Sequence, residues 1–150
     1  MEKHLLIIRN INTRLPFVVK ICHPGQARNR KRKFQKTYTM NYNDKKFRPI
    51  SNTENGETSN ETLFHYKQVG NILTSEYSGG KIKYGHLIGL VDNAGNIEMS
   101  YHQVNNKDEL MTGICFSKPE ILENGKIRLH ENWEWTSGDK SKGTSIIEEQ

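Results

Sequence analysis

The chain has 150 residues, enough for one hydrophobic core but not for two. Its formal net charge of +5 is unevenly distributed: residues 1–39 hold ten Lys or Arg and one acid, whereas residues 40–150 hold twelve Lys or Arg and sixteen Asp or Glu. The basic character belongs to the first segment alone. It therefore gives no reason to regard residues 40–150 as a nucleic-acid-binding domain.

Residues 1–39 combine short apolar pieces with the basic run 28–33 and show neither a helical nor a strand period. Three interpretations are open: a basic arm for nucleic acid, a nuclear-localisation-like run, or translated upstream sequence with Met40 as the natural start. We favour the third interpretation because the balance of charges changes at Met40 and a regular pattern of strands and turns begins just after it. In each case we expect a disordered or loosely attached extension.

The sequence predicts a cytoplasmic protein with neither a membrane nor a nucleic acid as partner. Its two cysteines, Cys22 and Cys115, lie on either side of Met40, so we expect free thiols in a reducing compartment. No stretch approaches the roughly 18 apolar residues of a membrane helix. The apolar piece Leu5–Ile8 is too short for the core of a signal peptide.

From Met40 onward, runs of β-forming residues alternate with turn residues about every ten residues, which is typical of an all-β meander. Gly79-Gly80, for example, suits a tight turn because glycine accepts the positive φ that primed turns require. Pro119 is expected to end the pairing of its strand. The pattern predicts no helix and eight strands, at about Tyr42–Ile50, Thr62–Val69, Ile72–Ser78, Lys81–Val91, Asn96–Val104, Glu109–Ser117, Lys126–Thr136 and Thr144–Glu149.

Alternation gives each strand one apolar face, which predicts a single shared core. Eight sequential antiparallel strands of this kind are best closed as an up-and-down β-barrel, lipocalin- or avidin-like, because closure removes the exposed edges. A two-sheet sandwich is the alternative, but its crossings need longer connections. The residues predicted to point inward on four strands are Ile82, Tyr84, His86, Ile88 and Leu90; Ile97, Met99, Tyr101 and Gln103; Leu110, Thr112, Ile114 and Phe116; and Ile127, Leu129, Glu131, Trp133 and Trp135.

Polar residues on the predicted inward face are the main functional signal. Glu131 is in phase with Leu129 and Trp133, and burying a carboxylate without a partner costs several kcal/mol or shifts its pKa. We therefore expect it to meet a cation, a hydrogen-bonding ring or a ligand in a cavity with apolar walls. The candidate ligand-binding residues are Tyr66, Gln68, Tyr84, His86, Tyr101, Gln103, Glu131 and Trp133.

Other patterns predict less. The alternative to a ligand site is an internal network, in which Glu131 meets His86 or Arg48 and the filled barrel binds nothing. No histidine spacing predicts a metal site, no motif indicates a cofactor, and Cys115 falls on the predicted polar face as an unreactive thiol. The polar loop Ser51–Glu61 is a candidate cover for one barrel mouth.

Several strings resemble those of a family of small bacterial β-barrel proteins that are often labelled N-acetylglutamate synthase. The resemblance covers nearly all of Met40–Gln150 and implies acetyl transfer to glutamate, but no particular catalytic residues. The pyrophosphate-binding turn that opens a helix in acetyl-CoA-dependent enzymes is not found. The strings are Phe64–Gln68, Tyr77–Ile82, Gly85–Gly89, Tyr101–Asn105, Met111–Gly113 and Ile127–Asp139.

Three hypotheses follow. The favoured one is a small-molecule-binding barrel of unknown ligand. The second is an enzyme, either the acetyltransferase that the resemblance implies or a hydrolase that uses Glu131 and His86 as an acid–base pair. The third is a filled barrel that acts only through its surface.

Overall fold

The computed structural model describes residues 40–150, and the predictions for residues 1–39 lie outside the described residues. The described part of the chain contains no helix, and none of its segments could therefore span a membrane as a helix. The predicted number and order of strands are confirmed. The eight strands are β1 Lys46–Asn52, β2 Leu63–Val69, β3 Ile72–Gly79, β4 Ile82–Val91, β5 Ile97–Asn105, β6 Leu110–Ile121, β7 Ile127–Trp135 and β8 Lys142–Glu149.

The strands form a closed barrel in chain order, and every neighbouring pair is antiparallel. β1 and β8 complete the barrel, with Arg48 opposite Glu148 and Asn52 opposite Ser145. Closure pairs the two strands that would otherwise be edges, which confirms the up-and-down barrel over the sandwich. β1 and β2 pair through two residue pairs only. The chain between them, residues 53–62, is therefore a loop that does not belong to the barrel wall.

The two ends of the barrel differ. We call the end that carries the β1–β2, β3–β4, β5–β6 and β7–β8 connections the mouth, and the opposite end the base. Tyr42 closes the base: its side chain is fully buried, and its hydroxyl donates a hydrogen bond of 2.6 Å to the carbonyl of Gly95. Its ring packs against Phe47 and Tyr66. The Tyr42 side chain therefore fills the interior at the base.

The predicted inward faces of β5 and β7 are confirmed. Ile97, Met99 and Gln103 are buried on β5, and Ile127 and Leu129 are buried on β7. Neither strand is interrupted by a bulge over this length, so simple alternation holds from end to end.

The predicted face of β4 is wrong beyond its first residue. Ile82 is buried as expected, but the register with β5 then shifts by one residue at Lys83. Such a bulge reverses the alternation of everything that follows it. The residues that point outward after the bulge, against the prediction, are Tyr84, His86, Ile88 and Leu90, while Gly85, Leu87, Gly89 and Val91 point inward.

The predicted face of β6 is also wrong. Gly113, Cys115 and Ser117 point inward, whereas the more apolar Ile114 and Phe116 are exposed. The reason is steric: large rings from neighbouring strands fill this part of the interior, and only small side chains fit opposite them. Cys115 is thus buried, not on the outer face as predicted.

Pro119 does not end the pairing of β6, contrary to the prediction. It pairs with Leu129, and β6 continues to Ile121. On the other side, the pairing of β6 with β5 stops at Ser117. Pro119 therefore lies where β6 has a free edge, and a missing backbone N–H costs nothing there.

Candidate functional site

A cavity of about 50 Å³ lies between the barrel core and the mouth. At about 10–15 Å³ for each water, it has room for roughly three to five water molecules. Its wall combines aromatic rings, aliphatic side chains such as Leu87 and Met99, and polar side chains such as Gln103 and Glu131. The six aromatic residues are Phe64, Tyr66, Tyr77, Tyr101, Trp133 and Trp135.

Inward-facing glycines set the positions of three of these rings. A Cβ atom at Gly85 would collide with the Tyr77 ring, and one at Gly143 would collide with the Trp133 ring. Gly113 makes room for Tyr101 in the same way. Each of these rings therefore lies directly against the backbone of the glycine opposite it.

Glu131 on β7 reaches the cavity between two serines from the flanking strands. Its carboxylate accepts hydrogen bonds from the hydroxyl of Ser117 at 3.1 Å and from that of Ser145 at 2.7 Å. Protein surrounds the carboxyl group, and its remaining accessible surface faces the cavity. Burial raises the pKa of Glu131 from 4.5 to about 7, against the opposing effect of the two serine hydrogen bonds.

Two tyrosine hydroxyls lie near Glu131 and differ in their bonding. Tyr77 donates a hydrogen bond of 2.9 Å to the side-chain carbonyl of Gln103. Tyr66 is fully buried, and its hydroxyl has no hydrogen-bond partner within residues 40–150. A buried hydroxyl without a partner is costly, and this oxygen is enclosed by protein with almost no accessible surface of its own.

The loop of residues 53–62 covers the mouth, as predicted for this polar segment. Glu57 reaches inward from it, and its carboxylate accepts hydrogen bonds from the side-chain amides of Gln103 at 2.6 Å and Asn105 at 2.8 Å. The same Asn105 amide also donates to Glu109 at 2.8 Å. Glu57 and Glu109 therefore share the Asn105 amide, and Glu57 ties the loop to the barrel through short, charge-assisted hydrogen bonds.

Asn52 and the tryptophans attach this loop further, in addition to hydrogen bonds that join Thr53 to Thr144 and Asn55 to Ser141. The Asn52 amide donates to Thr58 at 2.8 Å, and its carbonyl accepts from the indole N–H of Trp133 at 3.2 Å. The indole N–H of Trp135 donates to the Asn55 carbonyl at 3.4 Å. The loop is thus tied to the same aromatic side chains that form the cavity wall.

Five of the predicted site residues meet at the cavity: Tyr66, Tyr101, Gln103, Glu131 and Trp133. The other three do not. Gln68 lies towards the base, where its carbonyl accepts from the Tyr42 backbone N–H at 2.8 Å.

Tyr84 and His86 lie on the outer face of the barrel because of the bulge in β4, and His86 stacks there with His102 at a ring distance of 5.4 Å. Glu131 and His86 are therefore on opposite sides of the wall, and the predicted acid–base pair is wrong. Arg48 is no partner of Glu131 either, since its guanidinium donates to the carbonyls of Asn60 and Glu61 at the surface.

Sequence reasoning missed several residues of the site. Tyr77, Ser117 and Ser145 are on inward positions of β3, β6 and β8, and alternation identifies such positions only when the bulges are known. Glu57 belongs to a loop, to which strand alternation does not apply. One signal in the sequence was available for part of this site. Three glycines lie directly opposite aromatic residues on the neighbouring strand, and a glycine within a strand often marks a place where another group lies close to the backbone.

Comparisons with known proteins agree with this architecture. The family model described as "Avidin-like protein" matches residues 40–150, which is the whole of the described barrel. The search of curated proteins and the search of solved structures gave no match. The chain belongs to the avidin-like protein family.

Proposed function

We propose that the barrel binds a small molecule, whose head group enters the cavity and contacts Glu131. The observation that carries this proposal is a carboxylate placed in a cavity with aromatic walls, next to a buried tyrosine hydroxyl without a partner in residues 40–150. A core evolved only for stability would exclude both groups, because each costs free energy when buried. Membership of the avidin-like family is in line with the proposal.

The size of the cavity limits the ligand. Pockets for drug-sized molecules usually measure about 300–1,000 Å³, whereas this cavity measures about 50 Å³. A ligand therefore inserts a compact head group beneath the loop 53–62, or displaces that loop to admit a larger body.

Tryptophan fluorescence tests the proposal directly, because both tryptophans of the chain, Trp133 and Trp135, line the cavity. We expect members of a metabolite library to change this emission saturably and to raise the unfolding temperature. The Cys115→Met variant adds a longer side chain inside the cavity and should abolish both responses without unfolding the protein. The matched control is Ile114→Met, because Ile114 is the outward neighbour on the same strand. Absence of any response across the library, or equal responses in Cys115→Met, would contradict the proposal.

Acetyl transfer to glutamate, which the resemblance implied, stays a prediction, because the family match says nothing about it. Its test is acetyl-CoA turnover with glutamate, compared with heat-inactivated protein. Turnover by the active protein alone would establish the activity, and equal rates in the two samples would refute it.

A further inference from the structure

The charged side chains that line the cavity are all acidic. The only charged groups on its wall within the described residues are the carboxyl groups of Glu57 and Glu131, and no Lys, Arg or His accompanies them there. The nearby basic residues pair on the outer surface instead: Arg128 with Glu148 at 2.8 Å and Lys142 with Glu134 at 2.9 Å. An anionic head group would thus meet two carboxylates and no cation, which disfavours it strongly at low dielectric.

Aromatic rings lie on several sides of the cavity that these two carboxyl groups face. The ring of Trp135 stands edge-on to those of Trp133 and Tyr101, at centroid distances of 5.8 and 5.5 Å. The rings of Phe64 on β2 and Tyr77 on β3 are tilted by 33° to each other, with centroids 4.7 Å apart. Aromatic faces attract cations through their quadrupole, most strongly where water is excluded, and tryptophan and tyrosine do so best.

Hydrogen-bonding capacity points in the same direction. A carboxylate offers about four acceptor positions, and the two serines occupy two of those on Glu131. Glu131 therefore offers free acceptor positions to a guanidinium or to an ammonium that carries an N–H, whereas a quaternary ammonium would be held by charge and by the aromatic rings alone.

We infer that the head group of the ligand is a small organic cation, an ammonium or guanidinium group, held by Glu131 and enclosed by the rings of Tyr101, Trp133 and Trp135. This inference rests on the proposed function and specifies the chemical class of the ligand. The cavity of about 50 Å³ suits a group of the size of trimethylammonium or methylguanidinium.

A cation at this position links binding to protonation. The cation stabilises the ionised form of Glu131, so binding below pH 7 releases a proton, and affinity rises with pH by up to about tenfold per pH unit until the carboxyl group is ionised. Burial raises the pKa values of four other groups that line the cavity, so these four stay neutral in this range, and Glu57 is the second carboxyl group that faces the cavity. The neutral groups are Tyr66, Tyr77, Tyr101 and Cys115.

The test compares probes of equal size and different charge on the full-length protein, with tryptophan fluorescence at pH 8 as the readout. The cations are tetramethylammonium and N-methylguanidinium, their neutral counterparts are tert-butanol and N-methylurea, and acetate is the anion. We expect saturable binding of at least one cation, at least about tenfold tighter than its neutral counterpart, which is a difference of about 1.4 kcal/mol.

Two further measurements identify Glu131 as the responsible group. Glu131→Gln should weaken cation binding about tenfold or more, whereas Glu134→Gln, which changes the outward-facing carboxylate on the same strand, should leave it unchanged. On the wild-type protein at pH 6, calorimetry in two buffers of different ionisation enthalpy should show proton release on binding. This second readout does not depend on the folding of a variant.

The outcomes separate the two proposals. If neutral compounds or acetate bind as well as the cations, or if cation binding survives Glu131→Gln or releases no proton, the cation inference is refuted while small-molecule binding stands. If library compounds bind but none of the cations does, the inference fails alone. If neither the probes nor the library bind, both proposals fall.

Discussion

At the scale of single residues, Glu131 is the group that departs most from what a stable core requires. Its carboxyl group has hydrogen bonds from Ser117 and Ser145, but within the described residues no cation offsets its burial. The cost appears as a pKa of about 7 instead of 4.5. A pKa difference of one corresponds to about 1.4 kcal/mol between the protonated and the ionised form.

Substitution of Glu131 should therefore change how stability depends on pH. Because the pKa is higher in the folded than in the unfolded protein, the folded state binds the proton more tightly between pH 4.5 and 7, and the free energy of unfolding falls over this range as pH rises. The total loss is up to about 3 kcal/mol. Glu131→Gln removes this loss, so the variant should be about as stable as wild type at pH 4 and more stable at pH 8.

Urea denaturation at pH 4, 6 and 8 measures this difference. Glu134→Gln serves as the control for the loss of one negative charge from the same strand. Parallel stability profiles for wild type and Glu131→Gln would show that Glu131 ionises in the fold as it does in water.

At the scale of elements, the loop 53–62 decides whether the cavity is open or closed. It is anchored by Glu57 to Gln103 and Asn105, and by Asn52 to Thr58. Further hydrogen bonds join Thr53 to Thr144 and Asn55 to Ser141, so polar contacts and not apolar burial hold this segment.

Removal of the Glu57 carboxylate should loosen this loop. We expect Glu57→Ala to increase the quenching of tryptophan fluorescence by acrylamide, because Trp133 and Trp135 lie directly beneath the loop. The change should leave the unfolding temperature within a few degrees of wild type, since the barrel wall is untouched. Glu54→Ala, an exposed acid of the same loop, is the control and should leave the quenching unchanged. Equal quenching of wild type and Glu57→Ala would show that Glu57 does not hold the loop.

At the scale of the whole molecule, the base needs the residues that precede β1. Tyr42 is fully buried there and packs on the rings of Phe47 and Tyr66. We expect a fragment of residues 40–150 to unfold cooperatively with nearly the same midpoint as the full chain. A fragment of residues 46–150 should be less stable by about 3 kcal/mol or more, as for the loss of a large buried aromatic side chain.

Thermal unfolding followed by circular dichroism distinguishes the two fragments. Equal midpoints for both would show that Tyr42 does not hold the base. A large loss of stability already in the 40–150 fragment would show that the barrel depends on residues 1–39.

The sequence by itself determined the number, order and antiparallel pairing of the strands, because turn residues and short β-forming runs are local signals. It also determined the inward faces of β5 and β7, and with them Tyr101, Gln103, Glu131 and Trp133, because alternation continues without interruption there. Only the tertiary structure decided the faces of β4 and β6 and the position of Glu57. For β4, the bulge reverses the direction of every side chain beyond it. The fit of Gly85 against Tyr77, and of Gly113 against Tyr101, depends on residues of different strands that are distant in sequence. For Glu57, the course of the loop depends on the barrel side chains that face it.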